Sequence, residues 1–243
     1  MTQLPKTMNA PTRLDFKYLP RHVGLMMDGN GRWAQARGLS RLEGHRQGTQ
    51  NVRRVLDACS KYGLRVVTLY VFSTENWGRP KEEVEGFFAL LADVIDRETE
   101  NFRQQGVRLI HSGSLEGVPP VLADKVKRAV EVTRENREYT LNVAFNYGGR
   151  MEILRAVRQI IADGISPDAL TEELFERYLY TAGLGDMDLV IRTGGDERLS
   201  NFFPWQAARG VFYSTKTYWP DFDEAELVQA LITYNRFLES LER

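Results

Sequence analysis

A nearly continuous run of β-branched, aliphatic and aromatic residues at positions 66–72 is the feature that most restricts the fold of this chain. Such a run is typical of a strand that is buried on both faces, and strands of this kind occur mainly in parallel sheets covered by helices. Further strands are predicted at residues 23–27, 107–111, 140–145, 188–192 and 211–214. They alternate with helices predicted at residues 41–62, 82–105, 119–136, 151–163, 171–180 and 223–241. The chain is therefore predicted to be α/β, with one domain in which helices flank a mainly parallel sheet of about six strands.

The composition agrees with a globular domain. The chain has 243 residues, of which 42% are hydrophobic and 27% are charged. We expect a flexible N-terminal tail at residues 1–17 and a single domain at residues 18–243, because no repeat or Pro/Ser-rich linker divides the rest. The tail lacks the apolar stretch of a signal peptide, and no segment approaches the roughly 20 apolar residues needed to span a bilayer. These features predict a cytoplasmic protein.

Charge and cysteine content exclude several classes of function. The formal net charge of -1 argues against general nucleic-acid binding, so any anion site has to be local. Cys59 is the only cysteine, which excludes an internal disulfide. The three histidines, His22, His45 and His111, do not have the spacing of a zinc site.

The first predicted strand is followed by a carboxylate, two glycines and several basic residues. Asp28 lies where the strand ends, and the carboxyl ends of strands are where ligands bind in an open α/β sheet. Gly29 and Gly31 would let backbone N–H groups approach an anion closely. Basic side chains follow within about four turns of a predicted helix: Arg32, Arg37, Arg41, His45 and Arg46. The pattern predicts that Asp28 holds Mg²⁺ while the loop and the basic residues hold phosphates, although a tight turn and a solvated helix face would use the same residues.

Three further polar clusters follow predicted strands. They occupy residues 73–80, 146–150 and 191–202. Each one alone is explained by a structural role, such as a helix-entry loop or a tight turn. Four such clusters at the ends of strands indicate instead one shared ligand-binding edge of the sheet.

The ordered motifs of the chain resemble those of the cis-prenyltransferase family, the family of undecaprenyl diphosphate synthase. The matching segments are residues 22–34, 44–45, 72–77, 146–150, 188–195, 198–202 and 219–222. They are collinear and cover nearly the whole chain from His22 to Phe222, so together they are highly specific.

The resemblance implies a fold, a reaction and a set of partners. The fold is that of undecaprenyl diphosphate synthase, and the enzyme is a Mg²⁺-dependent transferase that acts as a homodimer. The reaction condenses isopentenyl diphosphate with an allylic diphosphate, by cis head-to-tail elongation, and gives a polyprenyl diphosphate. Such a lipid product also implies a peripheral contact with a membrane.

Individual residues take predicted roles by the same resemblance. Asp28 is the carboxylate that engages Mg²⁺ and the allylic diphosphate, and Asn76 occupies the position associated with proton removal. The allylic substrate is expected to contact Gly29, Asn30, Gly31, Arg32, Arg41 and His45, with Trp33 near its prenyl chain. A mobile loop over the site is expected to contain Ser73, Thr74, Glu75, Trp77 and Arg79. The isopentenyl diphosphate is expected to contact Arg192, Arg198, Leu199 and Ser200.

The chain departs from the family pattern in the segment after Trp205 and Gln206. Where the family usually has a tyrosine and a glutamate, this chain has Arg209 and Val211. The glutamate normally helps to bind Mg²⁺ with the isopentenyl diphosphate, and valine offers no oxygen donor to a hard cation. Metal binding at the second diphosphate is therefore expected to be weaker or differently placed.

This departure leaves more than one activity open. Ordinary head-to-tail elongation is favoured, because Asn76, Arg192, Arg198 and Ser200 are all present. The alternatives are irregular coupling of dimethylallyl diphosphate units, which some relatives perform, and a non-catalytic partner subunit of a prenyltransferase. A nucleotide-binding protein is disfavoured, since no ribose-reading or base-reading motif accompanies the glycines.

Two residues bear on the length of the product. In this family the prenyl chain grows in a tunnel between the sheet and the helices. Val71 and Tyr139 stand where smaller or aliphatic residues are frequent in enzymes that make long chains. The bulk of Tyr139 predicts a product of short or medium length, and ordinary core packing is the alternative explanation.

Overall fold

Six parallel strands form the centre of the fold in the computed structural model, which describes residues 16–242. The strands are β1 (His22–Met26), β2 (Val66–Ser73), β3 (Val107–Ser112), β4 (Tyr139–Tyr147), β5 (Leu189–Arg192) and β6 (Val211–Ser214). The α-helices are α1 (Asn30–Gln35), α2 (Arg41–Lys61), α3 (Lys81–Gln104), α4 (Pro120–Val132), α5 (Gly149–Ala162), α6 (Glu172–Glu176) and α7 (Glu224–Leu241). Helices flank the sheet, and the predicted α/β fold class is confirmed.

The order of the strands brings the predicted polar clusters together. The order is β3-β4-β2-β1-β5-β6, and each pair of neighbours is parallel. All carboxyl ends therefore lie at one edge of the sheet. The four polar clusters follow β1, β2, β4 and β5, and these four strands stand side by side in the sheet as β4-β2-β1-β5. Segments that are far apart in the chain thus meet at a single edge.

The basic segment after Asp28 differs from the prediction of one helix. It forms two helices, because α1 ends at Gln35 and α2 begins at Arg41. Ser40 starts the second helix, since its side-chain oxygen accepts a hydrogen bond of 3.2 Å from the Glu43 N–H. The break turns the chain, so α1 packs against α2 instead of extending it.

The helix predicted at residues 171–180 is also shorter than expected and ends at Glu176. The backbone beyond this point bonds to α5 instead of continuing a helix. The Tyr180 N–H donates to the buried carboxylate of Glu152 at 2.7 Å, and Arg155 donates to the Tyr178 carbonyl. Contacts with a neighbouring helix have therefore overridden local helix propensity.

The predicted N-terminal tail lies mostly outside the described residues, which begin at Phe16. The ring of Phe16 packs on Tyr62, with centroids 6.1 Å apart, and Lys17 forms a 2.6 Å ion pair with Glu242. The chain therefore contacts the domain from the first residue that is described. No helix within residues 16–242 is long and apolar enough to cross a membrane.

Both faces of the sheet carry a hydrophobic core. On one face, side chains from the central strands pack with side chains from α2 and α7; they include Leu25, Val67, Ile191, Val55 and Leu231. On the other face, Met26 and Val190 pack with Phe202 and Phe203 from the segment after β5. Full burial of side chains of this size contributes about 1.5–3 kcal/mol each. The second core also ties the segment after β5 to the sheet.

Glycines in α2 allow a close approach of α1. A Cβ atom at Gly44 would lie 2.1 Å from the Asn30 carbonyl oxygen, and one at Gly48 would lie 2.2 Å from Asn30 Oδ1. Asn30 is the first residue of α1 and directly follows the turn after β1. The close packing therefore fixes the start of α1 at the edge where the polar clusters meet.

The substitution Gly44→Ala is expected to lower the free energy of unfolding by about 1–3 kcal/mol, because the new methyl group must displace the Asn30 backbone. Gly86→Ala in α3 is the matched control, since its Cβ would make an ordinary 3.4 Å contact with Leu42. Alanine in place of a helical glycine stabilises by up to about 1 kcal/mol, so this control should be neutral or more stable. Urea unfolding of both variants measures the difference, and equal stabilities would contradict the close packing.

Candidate active site

A large cavity begins at the edge where the polar clusters meet. Its volume is about 2210 Å³, and it is bounded by α2, α3 and the strands β2, β3 and β4. Its wall is mostly apolar away from the sheet edge, with side chains that include Val52, Leu56, Val71, Leu90, Val94, Leu109, Tyr139 and Val143. Its mouth carries the charged and polar residues of the strand-end clusters. The cavity therefore combines a polar entrance with an apolar interior.

An ion pair between Asp28 and Arg192 lies at this entrance. Arg192 Nη2 is 2.9 Å from Asp28 Oδ2, and the guanidinium is only 6% exposed whereas the carboxylate is 37% exposed. The two residues come from neighbouring strands, since Asp28 follows β1 and Arg192 ends β5. One partner is therefore fixed inside the protein while the other reaches toward solvent and the cavity.

Arg192 also organises the segment that follows β5. Its Nη1 donates to Ser200 Oγ at 2.7 Å and to the Arg198 carbonyl, and its Nη2 is 2.7 Å from Asp196 Oδ2. Asp196 in turn contacts Arg198 Nη2 at 3.2 Å. A buried guanidinium needs partners of this kind, because an unpaired buried charge is costly. These bonds place Arg198 and Ser200, two predicted binding residues, next to Asp28.

The Asp28 carboxylate is stabilised in its charged form. Burial raises the pKa of this carboxyl group, but the hydrogen bond from Arg192 and the charges of Arg32 and Arg192 outweigh burial and lower the pKa below its usual value. The Gly29 N–H adds a 2.6 Å hydrogen bond to Oδ1. Asp28 is thus an anion at neutral pH, as a metal ligand has to be.

The turn after β1 requires glycine at position 29. Gly29 has φ +102°, and a Cβ atom there would lie 2.6 Å from the Tyr218 ring. Arg32 Nη2 is 3.2 Å from Asp28 Oδ1, and its Nη1 donates to the Gly194 carbonyl at 2.7 Å. Gly194 leaves space for this side chain, since a Cβ atom there would be 2.5 Å from Arg32 Nη2. The turns after β1 and β5 therefore interlock through Arg32.

Asn30 has a side-chain oxygen that lacks a hydrogen-bond partner. Its Nδ2 donates to the Met27 carbonyl at 3.2 Å, and its buried Oδ1 has no partner among residues 16–242. Asn30 also lines the cavity. It is therefore held by its amide nitrogen and by the close packing on α2.

The Glu83 carboxylate contacts three basic side chains near the entrance. Its carboxylate is 3.4 Å from Arg41 Nε, 3.3 Å from Arg79 Nη1 and 3.8 Å from His45 Nε2. Burial and the positive charge of Arg79 lower the pKa of His45 to about 4, so its imidazole is neutral at neutral pH. Sequence reasoning placed Glu83 only in the first turn of a helix, and its side-chain contacts had no signal in the local pattern.

The segment after β2 is a short 3₁₀ helix over Thr74–Gly78. Asn76 Oδ1 accepts a 3.1 Å hydrogen bond from the Ser73 N–H, and Trp77 Nε1 donates to Asn146 Oδ1 at 2.8 Å. The Trp77 ring also packs edge-on against Phe72 and is 41% exposed. This segment is therefore attached to the sheet at both Asn76 and Trp77.

The structure brings most predicted site residues to the cavity. Those that line it are Asp28, Asn30, His45, Ser73, Glu75, Asn76, Arg79, Arg192, Arg198 and Ser200. Gly29, Gly31, Arg32 and Arg41 are not among the lining residues. Gly29 and Arg32 contact Asp28, and the Arg41 guanidinium is 3.2 Å from the position of a Gly31 Cβ atom. Thr74 lies against Gly148, and Leu199 packs on the core that contains Phe202.

Trp33 is not brought together with these residues. Its Nε1 donates to Asp221 Oδ1 at 2.8 Å, and the Arg37 guanidinium stacks 4.2 Å above its ring. Arg37 also contacts Asp221 at 3.2 Å. The indole is thus part of a cluster beside α1 and is not among the residues that line the cavity.

Val211 and Arg209 lie away from the Asp28 carboxylate. Val211 begins β6 opposite Leu189 and packs on the core between the sheet and α7. Arg209 Nη2 forms a 3.0 Å ion pair with Glu172. Asp196, which sequence reasoning left without a role, is the second carboxylate beside Arg192 and Asp28.

Comparison with known proteins agrees with this geometry. The family model described as putative undecaprenyl diphosphate synthase matches residues 26–240. An isoprenyl transferase from Heliobacterium mobile is 44% identical over 226 residues, which cover 91% of this chain and 87% of that protein. An isoprenyl transferase from Thermotoga maritima is 44% identical over 220 residues, which cover 90% of this chain and 94% of that protein.

Two solved structures share the fold. Lavandulyl diphosphate synthase from Lavandula x intermedia, in complex with dimethylallyl diphosphate, has a TM-score of 0.85 at 34% identity, and the match covers 89% of this chain and 95% of that one. A probable undecaprenyl diphosphate synthase from Campylobacter jejuni has a TM-score of 0.76 at 29% identity, with coverage of 89% and 95%. The chain belongs to the undecaprenyl diphosphate synthase family of isoprenyl transferases.

Proposed function

We propose that this isoprenyl transferase condenses isopentenyl diphosphate with an allylic diphosphate, by cis head-to-tail elongation, and releases a polyprenyl diphosphate. The observation that carries the proposal is the Asp28–Arg192 pair at the polar entrance of an apolar cavity. Beside Arg32, which contacts Asp28 itself, the basic and polar residues near this pair form two groups. Arg41, His45 and Arg79 form one group around Glu83, and Arg198 with Ser200 forms the other. Two groups of cationic and polar donors match two diphosphates.

The charges at the entrance suit the departure of a diphosphate. A diphosphate leaves readily only when its growing negative charge is stabilised, and fixed cationic donors do this best where water is excluded. Arg41 and Arg79 would supply positive charge, and the neutral imidazole of His45 would donate a hydrogen bond. The apolar wall of the cavity would protect the allylic cation from water while the isopentenyl double bond attacks.

We propose Mg²⁺ as the metal and Asp28 as its protein ligand, with Asp196 as the nearest second carboxylate. No cluster of three or more potential ligands among histidine, cysteine, aspartate and glutamate occurs within residues 16–242. The two carboxylates of Asp28 and Asp196 fit Mg²⁺, which is usually held by one or two carboxylates together with substrate phosphates. The ion, when bound, would neutralise charge on the diphosphate. Asp196 is therefore a better candidate than position 211 for supplementing Asp28.

The proton that leaves after condensation needs an acceptor near Asn76. An amide is a weak base, and Asn76 Oδ1 already accepts a hydrogen bond from Ser73. A diphosphate oxygen held by Arg198 and Ser200 is the stronger base. We propose that Asn76 positions this segment, while diphosphate oxygen or water takes the proton.

The apolar cavity is proposed to hold the growing chain. Val71 on β2 and Tyr139 at the start of β4 both line it. The Tyr139 hydroxyl is buried without a hydrogen-bond partner among the described residues. Because β4 starts at the end of the sheet opposite Asp28, Tyr139 would meet the tip of a chain that grows away from the entrance. Its bulk supports a product of short or medium length.

We propose that two copies of the chain associate through α5. An apolar stripe on this helix is open to solvent, with Met151, Leu154, Val157 and Ile161 between 40% and 71% exposed. Their spacing places them along one side of the helix. A contiguous exposed apolar surface of this kind marks a protein interface more often than a solvated face.

A product assay tests the proposed reaction. The purified chain with Mg²⁺, isopentenyl diphosphate and a panel of allylic diphosphates is expected to give linear products with new cis double bonds. Asp28→Asn should lower turnover at least roughly a hundredfold, because it removes the charge at the metal and diphosphate site. Asp124→Asn, an exposed surface aspartate on α4, is the matched control and should retain full activity. Products are sized by chromatography and their geometry is read by NMR.

Two results of this assay would contradict the proposal. Branched or cyclic products from dimethylallyl diphosphate alone would show irregular coupling. Activity that appears only after addition of a second prenyltransferase subunit, and that persists in Asp28→Asn, would show a non-catalytic partner.

Removing bulk from the cavity should lengthen the product. Val71→Ala and Tyr139→Ala are each expected to shift the chromatographic distribution toward longer chains, because they free space along the wall. Tyr139→Phe keeps the ring and is the control, so its products should match those of the parent chain. Unchanged lengths in both alanine variants, with folding verified by thermal unfolding, would assign these side chains to core packing only.

Charge on the α5 stripe should separate the two copies. The variant Leu154→Glu/Ile161→Glu is expected to have the mass of one 27.9 kDa chain in light scattering, whereas the parent chain has twice that mass. Val121→Glu introduces the same charge at an exposed apolar residue of α4 and should leave the mass of the pair unchanged. A pair that persists in the α5 variant would place the interface elsewhere.

A further inference from the structure

We propose that Asn201 is a positioning residue that couples the two predicted diphosphate sites. This inference rests on the proposed function, because it assigns the site around Arg198 and Ser200 to isopentenyl diphosphate. Asn201 follows Ser200 directly and has no predicted role of its own. Its side chain joins the segment after β2 to the segment after β5.

Asn201 makes hydrogen bonds to two other strand ends. Its Nδ2 donates to Glu75 Oε1 at 2.8 Å, on the 3₁₀ segment after β2. Its Oδ1 accepts from the Arg150 N–H at 2.9 Å, and its carbonyl accepts from the Gly149 N–H at 3.0 Å, both in the turn after β4. The amide therefore donates to one segment and accepts from another, so both ends of its side chain are used.

The backbone around Asn201 is strained in a way that fixes its direction. Ser200, Asn201 and Phe203 have φ values of +45°, +64° and +43°, which are uncommon for residues other than glycine. Such backbone conformations are strained and persist only where the surrounding packing maintains them. The buried rings of Phe202 and Phe203 hold the segment to the sheet. This packing maintains the strained backbone at Ser200 itself and at its neighbours. The Ser200 hydroxyl accepts a hydrogen bond from Arg192.

The neighbouring glycines show how tightly the three segments meet. A Cβ atom at Gly148 would lie 2.5 Å from Thr74 Oγ1 and 3.2 Å from Asn201 Nδ2. One at Gly149 would lie 2.1 Å from a ring carbon of Pro204. No residue larger than glycine fits at either position unless a neighbouring segment moves. A shift of Glu75 must therefore break its bond to Asn201 or move the Ser200 segment.

The coupling follows from these contacts. A diphosphate bound at Arg198 and Ser200 would hold Asn201 in its observed position, and Asn201 would then hold Glu75 and the segment that contains Asn76 and Arg79. Arg79 belongs to the group of basic residues proposed for the allylic diphosphate. By thermodynamic linkage, a segment positioned by the allylic substrate would favour isopentenyl binding to the same degree.

The substitution Asn201→Asp tests this link selectively. Aspartate also tolerates a positive φ and keeps an acceptor for the Arg150 N–H. It cannot donate to Glu75, and it places a second negative charge beside that carboxylate. We expect the KM for isopentenyl diphosphate to rise at least about tenfold, with a smaller change in kcat, because a hydrogen bond to a charged group is replaced by repulsion.

The second variant reverses the direction of the hydrogen bond. With Glu75→Gln present, the new amide can donate to the carboxylate introduced by Asn201→Asp. The same Asn201→Asp change is then expected to raise the KM by less than about threefold, since the link is restored. This comparison within the Glu75→Gln background stays valid even if that change alters activity by itself.

Asn101→Asp on α3 is the control, because the Asn101 amide also donates to a glutamate, at 3.3 Å from Glu98. It should leave both KM values unchanged, and thermal unfolding should show that all variants are folded. An equal rise in KM with and without Glu75→Gln, or no rise at all, would overturn the role of Asn201 alone. A parent chain that neither binds nor uses isopentenyl diphosphate would overturn the proposed function and this inference with it.

Discussion

The guanidinium of Arg192 is the group on which the arrangement of the site depends. It is almost fully buried at the end of β5, and its partners are the carboxylates of Asp28 and Asp196 together with the Ser200 hydroxyl. A buried cation has to be neutralised, so these partners are drawn to one point from separate segments of the chain. The parallel sheet makes this convergence possible, because β1 and β5 are neighbours and their carboxyl ends lie side by side. Both carboxylates are far more exposed than the guanidinium that they neutralise, and Asp28 lines the cavity at its entrance.

The apolar cavity is the second constraint, and it follows from how α3 packs. Only Val84 and Phe88 of this long helix are buried, and both lie near its start. Farther along, side chains such as Leu90 and Val94 face the cavity instead of a filled core. The result is an interior suited to a hydrocarbon chain, with charge confined to the entrance. Together with membership of the isoprenyl transferase family, this combination supports the proposal that charged head groups bind at the entrance and apolar chains in the interior.

Local sequence patterns predicted the strands and the polar clusters well, because both depend on short segments. The run at residues 66–72 is a buried strand, and Asp28 lies just beyond β1. The contacts of Glu83 and Asn201 were not predictable, since they form between segments that are distant in the chain. The helix predicted from residue 41 begins where α2 begins, but the separate short helix α1, which carries Arg32, was not predicted from the sequence. Trp33 was expected beside the prenyl chain by resemblance, but its contacts with Asp221 and Arg37 depend on the tertiary packing of α1.

We propose that one edge of the sheet binds two diphosphates at once, through shared contacts with Asp28 and Arg192. Calorimetric titration with isopentenyl diphosphate, in the absence and presence of a saturating allylic thiolodiphosphate that cannot react, tests it most directly. We expect one site for each ligand on the same chain, and weaker binding of both ligands in Arg192→Lys, because lysine cannot bridge the two carboxylates and Ser200 as the planar guanidinium does. Competition of the two ligands for a single site, or unchanged binding of both in Arg192→Lys, would contradict it.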